Sequence, residues 1–415
     1  MIIIKFLLLL CLIFLQSGIS FYLSYQIFGL LLLGMLISMS GLKLKVTISS
    51  ILSFFLFVFF VIYTAVYAPS VLTARSNNYF LTTMALIVYS VSIFSLTFIH
   101  LERPVKVLIL FRSLSSSLIW ALFALLVISE SGVLPFLNRE TFVFQNVGLI
   151  SNWTTAEDLA THLKFNALET VPVDLFYGEA SYLALVVMLC IGCLIVSSIV
   201  LERYQHQTIQ KTHGNFTAKA MHFSPYIGIF ILIYITSLSS ILFAMVTFYF
   251  LLTTRFNWKK NKFATVVGVT FGGLVFAAFS YEYLMYRVTM ENSLSLVQRF
   301  GFLFQMTWPD FLIGVKEASI LPSTGIHNGV IYTIAISGIG GCFYIGYLLR
   351  YTHRLGIALG LGLYPILLVL AVFMQNGGIF SPSKVFLMAL VILPLAASRD
   401  LIESRRRVMN SGVVV

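Results

Sequence analysis

The residue of this chain best suited to chemistry is His327, in the run Gly325-Ile326-His327-Asn328-Gly329. The run opens a helix predicted over 328–349. A helix N-terminus presents free N–H groups and the positive end of the peptide dipole, a combination that favours an anion. An imidazole there, at the level of lipid headgroups, can take a proton from an attacking hydroxyl at neutral pH. The plainer reading of His327 is a capping or interfacial histidine, and the local sequence admits both. Asn328 and Gly329 shape the turn and allow close approach. A second candidate is a predicted helix over 292–308. It carries Leu296, Val297, Phe300, Leu303 and Phe304 at helical spacing, with Asn292, Ser295 and Arg299 on one polar stripe and Pro309 as its expected stop. Cys190 and Cys193 form a C-x-x-C inside an apolar run, without partner ligands, and read as core thiols. The paired aspartates of nucleotide-sugar transferases, a phosphate-cradling glycine loop and a metal-ligand cluster are all absent from the sequence.

The elements that must position these residues are hydrophobic helices. Of 415 residues 59% are hydrophobic and 10% charged, and the mean hydropathy is +0.96. A soluble domain needs far more charge to cover its surface. The chain is instead occupied by apolar runs of the length that crosses a bilayer, and backbone satisfaction in lipid requires them to be helices. The period-2 alternation of a membrane barrel is missing. The expected fold is therefore all-α. It is a polytopic integral membrane protein, a single membrane domain over 1–415, with about a dozen transmembrane helices. They are placed at 3–19, 21–39, 47–67, 80–99, 107–128, 179–201, 224–236, 239–254, 263–281, 328–349, 357–375 and 385–398. The first run could also be a cleaved signal peptide. A retained helix is the preferred reading, and either leaves the topology unchanged.

The net charge of +11 could suggest nucleic acid, but its distribution is topological. With both termini inside, eighteen of the 26 lysines and arginines fall in cytoplasmic segments, among them Lys43, Lys45, Arg103, Lys106, Arg399 and Arg405 to Arg407. Outside lie Arg75, Arg139, Lys164, Arg287, Arg299, Lys316 and Lys384, and eleven of the 15 acidic residues. This is the inside-positive pattern. Arg112 falls within a helix, where it should face the interior or snorkel. Two long loops, 129–178 and 282–327, share the outer face, and long loops on one face often carry function. Each contains an amphipathic helix, the first opened by the capping box Thr154-x-x-Glu157. On the outer face the only histidines are His162 and His327.

His327-Asn328 is followed, nine residues on, by Gly338-Ile339-Gly340-Gly341. This resembles the H-[NSQ]-x9-G-x-x-[GTY] signature of the O-antigen ligase and O-antigen polymerase superfamily. Arg299 to Leu303 is similar to that superfamily's R-x3-L element, and Pro309 to Gly314 to its Pro-to-Gly stretch. Gly178-Glu179-Ala180-Ser181-Tyr182 is similar to the Gly-Glu-Pro-Ser segment of its polymerases. The resemblance covers about Gly178 to Gly341. It departs at Thr236-Ser237-Leu238-Ser239-Ser240, where many ligases carry an arginine and this chain has none. That departure favours the polymerase branch.

The resemblance implies metal-independent glycosyl transfer, without a cofactor, at the periplasmic face of the bacterial inner membrane. The partners implied are an oligosaccharide on undecaprenyl diphosphate, membrane lipid and a chain-length regulator protein, with no nucleic acid. In such a reaction His327 is the expected base. Arg299, aided by Arg287, receives the leaving diphosphate as a bidentate fork. Glu179 orients His327 or binds sugar hydroxyls, and Asn328 lies on the substrate side. A ligase that hands the finished glycan to lipid A-core shares the chemistry and differs in acceptor. A flippase for the lipid-linked repeat is the non-enzyme alternative. It calls for internal pseudo-symmetry and mid-membrane polar groups.

Overall fold

The computed structural model describes residues 2–15, 25–68, 79–130, 180–204, 215–235, 238–255, 304–316, 328–374 and 381–410. Within them 88% of residues are helical. The helices, in chain order, are α1 (Ile2–Ile13), α2 (Tyr25–Met39), α3 (Ile48–Tyr67), α4 (Tyr79–Ser95), α5 (Pro104–Glu130), α6 (Ala180–Tyr204), α7 (Asn215–Tyr234), α8 (Leu238–Arg255), α9 (Trp308–Ile313), α10 (Gly329–Leu359), α11 (Tyr364–Met374) and α12 (Pro382–Asn410). Five stretches are long and apolar enough to cross a membrane: Ile48–Tyr67, Pro104–Ile128, Tyr182–Arg203, Gly329–Leu359 and Pro382–Arg405. Shorter apolar helices accompany them. The chain is thus a helical protein of membrane type. The helices expected at 263–281, within 129–178 and over most of 292–308 lie outside the described residues.

The described residues fall into two compact units. The first is drawn from Met1–Leu44, Ile99–Ala244 and Pro382–Val415. Its core is the pair α6 and α12, whose residues are buried almost throughout, from Tyr182 to Leu201 and from Val385 to Leu401. A surface helix keeps a polar face. These two lack one because α2, α5 and α7 pack against them. Cys190 and Cys193 are free and buried on α6, as core thiols. Arg112 is half-buried on α5. Ser116 on α5 and Ser224 on α7 share a hydrogen bond of 2.7 Å, a short polar tie between apolar helices.

This unit also departs from the purely helical expectation. Two three-residue strands, β1 (Leu42–Leu44) and β2 (Ile99–Leu101), pair antiparallel with Lys43 opposite His100. The run expected as one helix over 80–99 ends at Ser95, passes through a 3-10 turn at Leu96–Phe98 and becomes β2. The cause lies about 300 residues away in the chain. Asp400 on α12 accepts the Leu101 N–H at 2.7 Å, His100 Nδ1 at 2.9 Å and Arg399 Nε at 3.0 Å. Arg399 donates in turn to the Ile99 carbonyl at 2.5 Å. A buried carboxylate satisfied by three donors fixes β2, in a run where threonine, phenylalanine and isoleucine at 97–99 already suit extended backbone. Lys43 and Glu102 add an exposed ion pair at 2.9 Å. The segments gathered here, 42–45, 99–103 and 399–400, are ones that the charge pattern assigned to a single side of the membrane.

The second unit draws on Lys45–Phe98 and Met245–Ser381. Its centre is α3 packed on α10. Phe57 and Tyr344, both fully buried, meet with ring centroids 4.5 Å apart. The Tyr344 hydroxyl donates to the Ser90 carbonyl at 3.0 Å, which satisfies the polar end of an otherwise apolar anchor. Gly360, at φ 71°, ends α10 in the left-handed conformation, and α11 returns along it with Tyr364 stacked on Phe250 at 4.0 Å.

A candidate site built on a broken helix

Asn328 is the one predicted site residue within the described part of the chain; His327, Arg299, Arg287 and Glu179 lie outside it. Asn328 has extended backbone, φ −110° and ψ 117°, and is the N-cap of α10. Its Oδ1 accepts from the Val330 N–H at 2.9 Å and the Ile331 N–H at 3.3 Å. It is 3% exposed. The turn-shaping role read from the sequence thus has a physical form: two orphan donors of the helix start are satisfied by the asparagine side chain.

Beyond the cap, α10 runs as a buried helix to Ser337. Thr333 and Ser337 return their hydroxyls to carbonyls four residues back, each at 2.6 Å. Buried hydroxyls closed in this way need no outside partner. The helix then breaks. Gly338 takes φ 50° and ψ −132°, a conformation that only glycine adopts without strain. The helix expected over 328–349 is therefore two segments, 329–337 and 339–359. The bend between them is sharp. A Cβ on Gly341 would lie 2.7 Å from the Thr333 carbonyl oxygen. Eight residues of straight helix would instead separate these positions by about 12 Å.

A break in a buried helix frees carbonyls, and those carbonyls must find donors. Val315 N–H donates to the Ala335 carbonyl at 2.8 Å. Thr64 Oγ1 on α3 donates to the Ile336 carbonyl at 2.7 Å. The first of these donors directly follows the predicted Pro-to-Gly stretch, Pro309 to Gly314, which docks into the bend. A Cβ on Gly338 would stand 2.5 Å from the Leu312 carbonyl oxygen and 2.7 Å from Gly314 N. Gly314, at φ 89°, lies 3.0 Å by the same measure from the Ala335 carbonyl oxygen. Two elements read separately in the sequence, Pro309 to Gly314 and Gly338 to Gly341, therefore meet backbone to backbone. The glycines serve close packing, and one of them also makes the break.

Pro309 corrects the sequence reading. Expected to stop a helix over 292–308, it lies in the first turn of α9, just after its N-cap Thr307. Proline suits that position because a first-turn N–H has no intrahelical acceptor. Asp310 completes the cap. Its Oδ2 accepts from Thr307 N at 2.7 Å and from Thr307 Oγ1 at 2.6 Å, so the carboxylate is engaged in holding α9. Trp308 projects from this docked turn and is 81% exposed.

A second constellation was not singled out in the sequence. His100, Asp400 and Glu403 hold ligand-type atoms within 4.8 Å of one another. Three donors already occupy Asp400, and one of them is the Arg399 cation. A metal ion would have to displace that cation and the β2 N–H. The chemistry of the donor set fits a clasp between β2 and α12 better than an ion site. The signal that could have found it, an acidic residue beside Arg399 in a basic terminal segment, is weak until the fold brings His100 near.

Comparison with protein-family models, with curated proteins and with solved structures finds no match for this chain.

Proposed function

We propose that this protein is a membrane-embedded glycosyltransferase that polymerises lipid-linked oligosaccharide repeat units, of the O-antigen or capsular type. The observation that carries the reading is the His327-Asn328 pair with nine residues between it and Gly338. The cap made by Asn328 and the break made by Gly338 support it, because they give both ends of that spacing a structural purpose. A hydroxyl of the incoming repeat attacks the anomeric carbon of the growing glycan. The bond from that carbon to the diphosphate oxygen breaks, and undecaprenyl diphosphate leaves. His327 takes the hydroxyl proton. Arg299 and Arg287 meet the charge on the leaving diphosphate, and Glu179 orients the base or the sugar. The absence of arginine from Thr236 to Ser240 favours polymerase over ligase.

The test is the banding of long surface polysaccharide in cells carrying His327→Ala or Arg299→Ala. Loss of a positioned base costs about 10²- to 10⁴-fold in rate, enough to abolish the ladder. Unchanged chain lengths at normal protein level overturn the assignment. The deletion strain separates the alternatives. Single repeats on lipid A-core mark a missing polymerase, and bare core with lipid-linked polymer marks a missing ligase. Lipid-linked repeats held on the cytoplasmic leaflet mark a missing flippase.

A further inference from the structure

In the second unit, the first turns of α3 and the end of α4 enclose an apolar groove of about 110 Å³, lined by Ile51, Phe54, Phe55, Val91, Phe94 and Phe98. The polar lining residue, Ser95, turns its hydroxyl back to the Ser92 carbonyl at 2.8 Å. The floor is firmly packed. Phe94 is 1% exposed, and its ring lies 5.3 Å from that of Phe54, 5.4 Å from that of Phe98 and 4.7 Å from that of Tyr347. The rim is open, with Ile51, Phe55 and Val91 exposed. Water finds no partners in such a lining, and a void would forfeit dispersion contacts, so hydrocarbon is the filling that suits it. Apolar cavities of about 150 Å³ take a benzene-sized hydrocarbon, so this groove seats a segment of a chain.

A cation stands at one end of the groove. The Lys45 N–H donates to the Phe98 carbonyl at 3.0 Å, which ties the chain leading into α3 to the Phe98 end. Lys45 is exposed. Helical rise puts Ile51 about 5 Å and Phe55 about 10 Å along α3 from its first residue, the depth below a headgroup at which hydrocarbon begins. Cation and groove are therefore spaced as a lipid phosphate and the upper part of its chain are. The charge pattern of the sequence assigned Lys45 to the cytoplasmic side, where a lysine strengthens binding to anionic lipid by about fivefold.

We propose that Lys45 and this groove form a binding site for one anionic glycerophospholipid of the cytoplasmic leaflet, with its phosphate at Lys45 and an acyl chain between α3 and α4. The donor of the proposed polymerisation reacts on the opposite face, so the occupant is membrane phospholipid and not the polyprenyl carrier. The site stands or falls independently of glycosyl transfer.

The test is native mass spectrometry of the full chain, titrated in detergent with phosphatidylglycerol, phosphatidylcholine or undecaprenyl phosphate, for wild type, Lys45→Gln, Lys43→Gln, Ile51→Trp and Val91→Trp. Wild type should hold one phosphatidylglycerol about fivefold more tightly than phosphatidylcholine, and Lys45→Gln should abolish that preference. Lys43→Gln, which removes the same charge two residues away, should leave the preference within about twofold of wild type. Ile51→Trp and Val91→Trp, both on the exposed rim, block the groove from either helix and should weaken phosphatidylglycerol by about threefold or more. An unchanged preference in Lys45→Gln overturns the proposal. So does an equal loss in Lys43→Gln, which marks a general attraction to anionic lipid. Wild-type binding in both tryptophan variants also overturns it, because no chain then occupies the groove. Tighter binding of undecaprenyl phosphate than of phosphatidylglycerol overturns the choice of phospholipid.

Discussion

A methyl group at Gly338 has nowhere to go. Its backbone is in the left-handed half of conformational space, and the added carbon would overlap the Leu312 carbonyl. Gly338→Ala should destabilise the protein by about 3 kcal/mol or more, seen as a large drop in the thermal unfolding midpoint in detergent. Gly346 lies on the same helix with open space around it. Gly346→Ala should be neutral or stabilising by up to about 1 kcal/mol, from helix propensity alone. The contrast separates the special backbone of one glycine from the mere presence of glycine. At the other end of the short segment, Asn328→Ala should cost about 1 kcal/mol through the lost cap, and Asn328→Asp should restore it because the carboxylate accepts the same N–H groups. If the amide also meets glycan, the aspartate variant will be stable and still shorten the polysaccharide ladder. At this scale the sequence was partly legible. Asn328 and Gly329 read as turn residues, and Asn328 caps the helix that Gly329 opens. The break was not legible, since a single glycine inside an apolar helical run is ordinarily tolerated.

At the scale of elements, the apolar runs located most of the described helices, because length and hydrophobicity decide where a chain can cross a bilayer. They did not give every bound: those expected at 224–236, 328–349, 357–375 and 385–398 are Asn215–Tyr234, Gly329–Leu359, Tyr364–Met374 and Pro382–Asn410. The miss at the end of the helix expected over 80–99 has a tertiary cause. The 3-10 turn and β2 replace the end of an expected helix because Asp400, far away in sequence, captures the Leu101 N–H. Asp400→Asn exchanges a carboxylate that accepts from three donors for an amide that must present its own donor to one of them. It should destabilise the ribbon by about 1–3 kcal/mol, read as faster hydrogen exchange at the Leu101 amide. The exposed end of the ribbon has its own pH signature. The Lys43 ammonium, hydrogen-bonded to Glu102, holds that carboxyl below the usual carboxylate range, with a smaller contribution from Arg103. A depressed carboxyl stabilises the fold above the ordinary glutamate pKa of about 4.3 and loses that contribution as pH falls through its folded value. Lys43→Ala should therefore move the Glu102 titration upward, toward the ordinary value, in an NMR titration of labelled glutamate.

For the molecule as a whole, the described helices form two compact units, each with its own core. In the first unit, the structure gathers the basic segments that charge sorting had placed together, at one end of α12, and brings together the starts of α6 and α12, which it had placed on the opposite side. Reporter fusions should follow the same division. A periplasm-active reporter inserted near Arg139 should be active, and one near Lys43 silent; activity at both positions would contradict the topology. The overall class was legible because composition decides it. Of the predicted site only Asn328 falls among the described residues, and its capping role follows from its type and its place before an apolar helical run.

The helix break also explains why the spacing between His327-Asn328 and Gly338 would be nine residues and no other number. Nine residues make about two and a half helical turns and a rise of about 13 Å. Gly338 is anchored by the docked α9 segment, so the 329–337 segment acts as a rigid crank whose length sets both the depth and the compass direction of whatever precedes it. One residue more or fewer would swing the histidine end by about 100° and shift it by about 1.5 Å. The catalytic assignment therefore implies a phase requirement. A one-residue insertion before Thr333 should silence polymer formation even in chains that fold.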